Sequence, residues 1–105
     1  MAKNAVSDGK TIEFVADQAY TSGAVVEIGA LIAVVHENVA SGEIGVGHAE
    51  GVWVLPKSSA VAIAQGELVY LKNGVISKDN TGTLAGKAWE SVEAAVEEIA
   101  VKINA

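Results

Sequence analysis

Glu50-Gly51-Val52-Trp53-Val54-Leu55-Pro56-Lys57 is the longest unbroken apolar run in the chain to hold a large aromatic residue, and the chain's only proline closes it. In an extended segment side chains alternate at period two, so Val52 and Val54 point one way and Trp53 and Leu55 the other. Both faces are apolar, which a strand with one side in water does not require. The run is therefore expected to be central to the domain or shared with a second subunit. Trp53 and Leu55 are the residues expected at such a subunit interface.

Working outward, Thr11–Ala16 alternates, with Ile12, Phe14 and Ala16 on one side, and reads as a half-buried strand. After a turn at Tyr20-Thr21-Ser22-Gly23, Ala24–Ile28 is a second strand with Glu27 outward. Leu31–Val35 is apolar on both faces and expected inside. Glu43–Gly47 follows the Ala40-Ser41-Gly42 turn, with Ile44 and Val46 expected to face in. Leu68–Leu71 and Val75–Ser77 flank Asn73-Gly74, a dipeptide that accepts the positive φ angles of a type I′ hairpin turn. Leu84–Glu90 reads as another strand, and Ile99–Ile103 alternates with Lys102 outward.

Two segments fit either of two local structures. Ser58 or Ser59 could cap a short helix over Ser58–Ala64, although Val61 and Ile63 alternate like a strand. Ser91–Glu98 places Val92, Ala95, Val96 and Ile99 at helical spacing in a short segment, a helix of one or two turns or a loop with its acids in solvent. The expected fold is mainly β: a small single-domain barrel or sandwich with at most one or two short helical segments. Residues 11–105 form that domain, and residues 1–10 form a flexible arm in which Val6 is the one residue able to anchor to a core.

The composition sets bounds on function. At 105 residues the chain is the size of one domain, able to bury roughly two-thirds of its unfolded surface. Half of it is hydrophobic, but mostly as Ala and Val, and Phe14, Tyr20, Trp53, Tyr70 and Trp89 are the only aromatics. So thin a core suits a protein completed by oligomerisation. The net charge of −6 comes from thirteen acids, seven lysines and no arginine. Without forked donors or a basic stripe, direct nucleic-acid binding is not expected. There is no cysteine for a disulfide or a thiolate metal site. No apolar run approaches the roughly 20 residues that cross a bilayer. Met1-Ala2-Lys3-Asn4 lacks a signal-peptide layout, so a soluble protein made in the cytosol is expected.

No catalytic constellation stands out. His36-Glu37 and His48-Ala49-Glu50 set imidazoles near carboxylates, yet neither spacing is a recognised ligand pattern. Both histidines are expected as solvated loop residues, with no metal, cofactor or small-molecule substrate. Gly82-Thr83-Leu84-Ala85-Gly86-Lys87-Ala88 superficially suggests a phosphate loop. It has three residues between the glycines instead of four, and Ala88 where a magnesium-binding hydroxyl is needed. Trp53 and Trp89 lack flanking polar anchors, which favours core or subunit interface over a ligand platform. The acids Glu90, Glu93, Glu97 and Glu98 read as a solvated face.

The order Gly51-Val52-Trp53-Val54-Leu55-Pro56-Lys57, Ile63-Ala64-Gln65-Gly66-Glu67-Leu68-Val69-Tyr70, Leu84-Ala85-Gly86-Lys87-Ala88 resembles a family of small tailed-phage proteins. These are head decoration or capsid cement proteins. The opening Ala2-Lys3-Asn4 with Gly9-Lys10-Thr11-Ile12 and the closing Val101-Lys102-Ile103-Asn104 are similar to the family's ends. The resemblance implies a β-rich fold like that of lambdoid decoration proteins. It implies a homotrimer on the outside of an expanded capsid, clamping neighbouring major capsid protein subunits, and no catalytic residues. On that reading Lys3, Asn4, Val6, Lys10 and Thr11 contact the capsid. Val92–Glu98 is longer and more acidic than the corresponding turn in the family. Two other readings stand beside it: a monomeric β-barrel ligand-binding module with a pocket around one tryptophan, and a small metal enzyme in which His36 and His48 converge.

Overall fold

The computed structural model describes residues 9–105. It is all β, with nine strands in two antiparallel sheets and no helix among the described residues. Strands β1 (Thr11–Val15), β2 (Val25–Ile28), β3 (Leu31–Val35) and β4 (Ile44–His48) form one sheet in the order β1-β4-β3-β2. Strands β5 (Val52–Pro56), β6 (Leu68–Lys72), β7 (Val75–Ser77), β8 (Thr83–Ala88) and β9 (Glu98–Ile103) form the other, ordered β5-β9-β8-β6-β7. This second sheet curls until its two edges meet at one end, where Lys57 bridges Ile76 and the Ser58 N–H donates to the Ile76 carbonyl at 2.9 Å. The expected Asn73-Gly74 turn joins β6 to β7, with φ of 55° and 81° at its two residues.

The interior is divided by β3. Ile32 and Val34 on one side of it join the larger core with Leu55, Ile63, Val69, Leu71, Ile76, Ile99, Val101 and Ile103. Ala33 and Val35 on its other side join Phe14, Ala16, Val26 and Val39 in a smaller core. The doubly apolar run Leu31–Val35 is thus interior on both faces, as its pattern predicts.

The run Val52–Pro56 is not. β5 lies at an edge of its sheet, and only one of its faces is covered. Leu55 is 1% exposed while Val54 on the opposite face is 64% exposed. Apolar residues on both sides of a strand mean burial only when a layer covers each side, and here nothing among the described residues covers the second.

Ile44 and Val46 also depart from expectation. They face outward, Ile44 being 67% exposed, and Gly45 and Gly47 face in. The inward positions have no room for a side chain. A Cβ on Gly45 would stand 2.9 Å from Phe14 Cζ, and one on Gly47 would stand 2.7 Å from Ala33 Cβ. The Phe14 ring fills the space beside Gly45 and the Ala33 methyl the space beside Gly47, so the alternation of β4 is set by its glycines.

Neither ambiguous segment is helical. In Ser58–Ala64, Ile63 is buried and exchanges both backbone bonds with Val92, at 3.0 and 2.9 Å. Ser91–Glu98 is tied to other segments instead: Val92 pairs with Ile63, and Lys57 binds three carbonyls farther along. Its Nζ donates to Ala94 O at 3.1 Å and Val96 O at 2.9 Å, and its N–H donates to Glu97 O at 2.8 Å. The glycine-rich stretch that superficially suggests a phosphate loop is strand β8. Gly86, with φ of 146°, lies where a Cβ would collide with the Lys102 carbonyl.

Candidate contact surfaces

Each expected contact residue has a definite place or lies outside the described residues. Lys3, Asn4 and Val6 lie outside them. Lys10 is exposed, and its carbonyl accepts from Ala49 N–H at 2.8 Å, so sheet pairing begins one residue inside the expected arm. Thr11 opens β1 opposite His48. Because Lys10, Ile12, Phe14 and Ala16 hold the bonded pairs with β4, the backbone groups of Thr11, Glu13 and Val15 turn toward the open edge.

Trp53 is half-buried against the larger core, and its indole N–H donates to the Glu50 carbonyl at 2.9 Å. Leu55 sits wholly inside that core, so it has no surface left to offer a second subunit. The exposed residues of β5 are Val52, Val54 and Pro56.

The histidines, expected as separate loop residues, come together. β3 and β4 pair so that Val34 faces His48, which sets His36 diagonally beside it. His36 Nδ1 and His48 Nε2 are 3.0 Å apart, one ring nitrogen donating to the other. The His48 ring also lies 4.9 Å from the Trp53 ring, at an interplanar angle of 31°. Two histidines 12 residues apart carry no sequence signal for this, since only strand register brings them into contact. Among the described residues no third His, Cys, Asp or Glu joins them in a metal-holding group.

Two exposed apolar faces are the most prominent surface features. The first lies on the four-stranded sheet, where Val15 and Ile44 are cross-strand partners and Val46 stands beside them, paired with Glu13. Val15 is 70% exposed. An open groove of about 380 Å³ runs alongside, lined by Glu37, Asn38, Val39, Glu43, Ile44, Gly45 and Val46.

The second face lies on the five-stranded sheet. Register places Val52 beside Lys102, Lys102 beside Lys87, and Lys87 beside Leu68, in one row across four strands. Val54, Leu84 and Trp89 extend its exposed apolar area. The Lys102 ammonium stands 6.0 Å from the centre of the Trp89 ring, within reach of a cation–π attraction.

The perturbed titrating groups lie elsewhere. Asp79 accepts from the Lys72 ammonium at 2.7 Å and from the Thr81 hydroxyl and N–H at 2.7 and 3.0 Å, which hold its carboxyl well below the usual range. Tyr20 donates to Asp17 Oδ1 at 2.6 Å, and that bond, aided by partial burial, pushes the phenol up. Both groups hold turns in place, and neither is set up for proton transfer. Of the acidic run, Glu90 braces the sheet by accepting from the Ala100 N–H at 3.0 Å. Glu93, Glu97 and Glu98 are exposed.

The described residues form a small all-β domain with two bare apolar sheet faces. The chain is a member of the phage cement protein family, whose model matches residues 6–103. That family is structural, which makes this a capsid-associated protein with a stabilising role. No curated protein and no solved structure matches the chain.

Proposed function

We propose that the protein binds the outer surface of an expanded phage capsid as a homotrimer, and that it stabilises the shell by clamping adjacent major capsid protein subunits. Family membership supports the capsid role. The observation that carries the trimer is the pair of bare apolar faces, on a chain whose own core is built mainly from Val, Ile and Ala. Such a chain gains by burying Val15, Ile44, Val52 and Val54 against other copies, at about 25 cal/mol for each Å² removed from water. A trimer then engages several capsid subunits at once and gains avidity from each added contact. Lys3, Asn4, Val6, Lys10 and Thr11 are the proposed capsid contacts, and Trp53 borders the proposed subunit contact. The protein is made in the host cytoplasm and ends on the outside of the virion.

Light scattering on a sizing column at tens of micromolar tests the first half: a trimer mass is expected, and a monodisperse monomer refutes it. Titration onto expanded and unexpanded capsids tests the second. Saturable binding to the expanded form, with a raised capsid melting temperature, is the expected result.

A further inference from the structure

We infer that the two exposed apolar faces are complementary, the first face of one protomer packing on the second face of the next, so that identical contacts close a ring. This inference rests on the trimer reading above and specifies its geometry.

Charge is divided unequally between the two sheets. Residues 11–50, which include the whole four-stranded sheet, hold Glu13, Asp17, Glu27, Glu37, Glu43 and Glu50 and no lysine. The exposed lysines of the second sheet include Lys87 and Lys102, side by side in the centre of its open face. On the first face Glu13 stands directly across from Val46, and Glu43 and Glu37 line the adjoining groove. Each face is therefore an aliphatic patch: the first is bordered by carboxylates, and the second is crossed by Lys87 and Lys102 at its centre, with Glu98 at its margin beside Pro56.

Packing the first face on a copy of itself would set Glu13 and Glu43 against their own duplicates, in a site losing its water. Packing the second face on itself would oppose two lysine pairs. Like charges brought together in this way oppose association, whereas opposite charges around an apolar centre favour it and set the register. The favourable contact joins two different patches. A contact of that kind is head-to-tail, and it closes into a ring or runs on as a filament. Three copies in a ring leave neither face exposed.

The test uses two surface variants, Ile44→Asp on the first face and Val54→Asp on the second, with circular dichroism melts to show that each keeps its fold. Each alone is expected to be monomeric by light scattering at tens of micromolar. Mixed, they should form a dimer, because one intact face of each kind remains between them. As a check that does not place a charge in the apolar centre, Glu13→Lys and Lys102→Glu should each lower the trimer's association constant at least tenfold. The pair together should recover most of that loss at low salt. A monomeric wild type overturns the trimer reading and this inference with it. A trimeric wild type whose Asp variants both stay trimeric overturns only the face assignment. If one variant alone stays trimeric, the pairing of these two faces is wrong, because every contact in the ring needs one face of each kind. If the variants stay trimeric but no longer bind capsids, these faces contact the capsid and the inference fails.

Discussion

The side-chain amide of Asn104 pairs with both backbone groups of Ile32, its Nδ2 donating to the Ile32 carbonyl at 2.8 Å and its Oδ1 accepting from the Ile32 N–H at 3.1 Å. The same Nδ2 donates to Ala49 O at 2.7 Å. One residue just past β9 thus takes up the backbone groups of Ile32 beyond the end of β4, and ties the second sheet to the first. Asn104 has φ of 57°, a left-handed conformation that asparagine tolerates better than most residues.

Replacing Asn104 should therefore cost stability in a way that separates bonding from backbone strain. Asn104→Gly keeps the conformation and loses the three bonds, leaving part-buried backbone groups of Ile32 without partners. A loss of about 2–3 kcal/mol is expected in urea denaturation. Asn104→Ala should lose up to about 1 kcal/mol more, because its Cβ is strained at positive φ.

Lys57 is the only buried charged residue among the described ones, 3% exposed, and its ammonium donates to the Ser58, Ala94 and Val96 carbonyls at 2.7, 3.1 and 2.9 Å. All three of its protons are used. Lys57→Met keeps much of the stem but strips these carbonyls of their donor. A loss of about 2–4 kcal/mol is expected. Amide exchange should also speed up across residues 92–97, which the ammonium holds in place.

Two turns respond to pH in opposite directions. The Asp79 carboxyl is held below its usual range by Lys72 and Thr81. Its contribution is present above the unfolded pKa of about 4 and is lost as pH falls further. The Tyr20 phenol is raised by Asp17, so its contribution is complete below about pH 10 and fades above it. Asp79→Asn should flatten only the acid limb of a stability–pH profile, and Tyr20→Phe only the alkaline limb. Asp79 is solvent-exposed, so its effect should shrink in high salt.

The arm can be tested with its boundary moved to the start of sheet pairing. Residues 2–8 contribute one modest hydrophobe, Val6, against an ordering cost of roughly 1–2 kcal/mol per residue. Deleting them should leave fold and trimer unchanged and sharply reduce capsid binding, since an extended segment beside the open edge of β1 can add a strand to a capsid subunit. Wild-type occupancy on expanded capsids after the deletion would show that the arm has no such role.

Local alternation was enough to identify most of these elements. The strands around Phe14, Val34, Leu55, Ile76 and Val101 all follow from period-two patterning and turn residues, and the Asn73-Gly74 hairpin follows from φ preferences alone. The family was also legible, through the order and spacing of its turns. Alternation is symmetric, however: it sorts residues onto two faces without saying which is covered. Only packing decided that β3, and not β5, lies between two cores. Phe14 and Ala33 left room only for Gly45 and Gly47 inside and sent Ile44 and Val46 out. Register brought His36 to His48, and residues 91–98 are held by partners distant in sequence, Ile63 and Lys57. Each of these outcomes depends on atoms far apart in the chain, and the contact faces are their product. The strands were determined by neighbours in sequence, and the surface by neighbours in space.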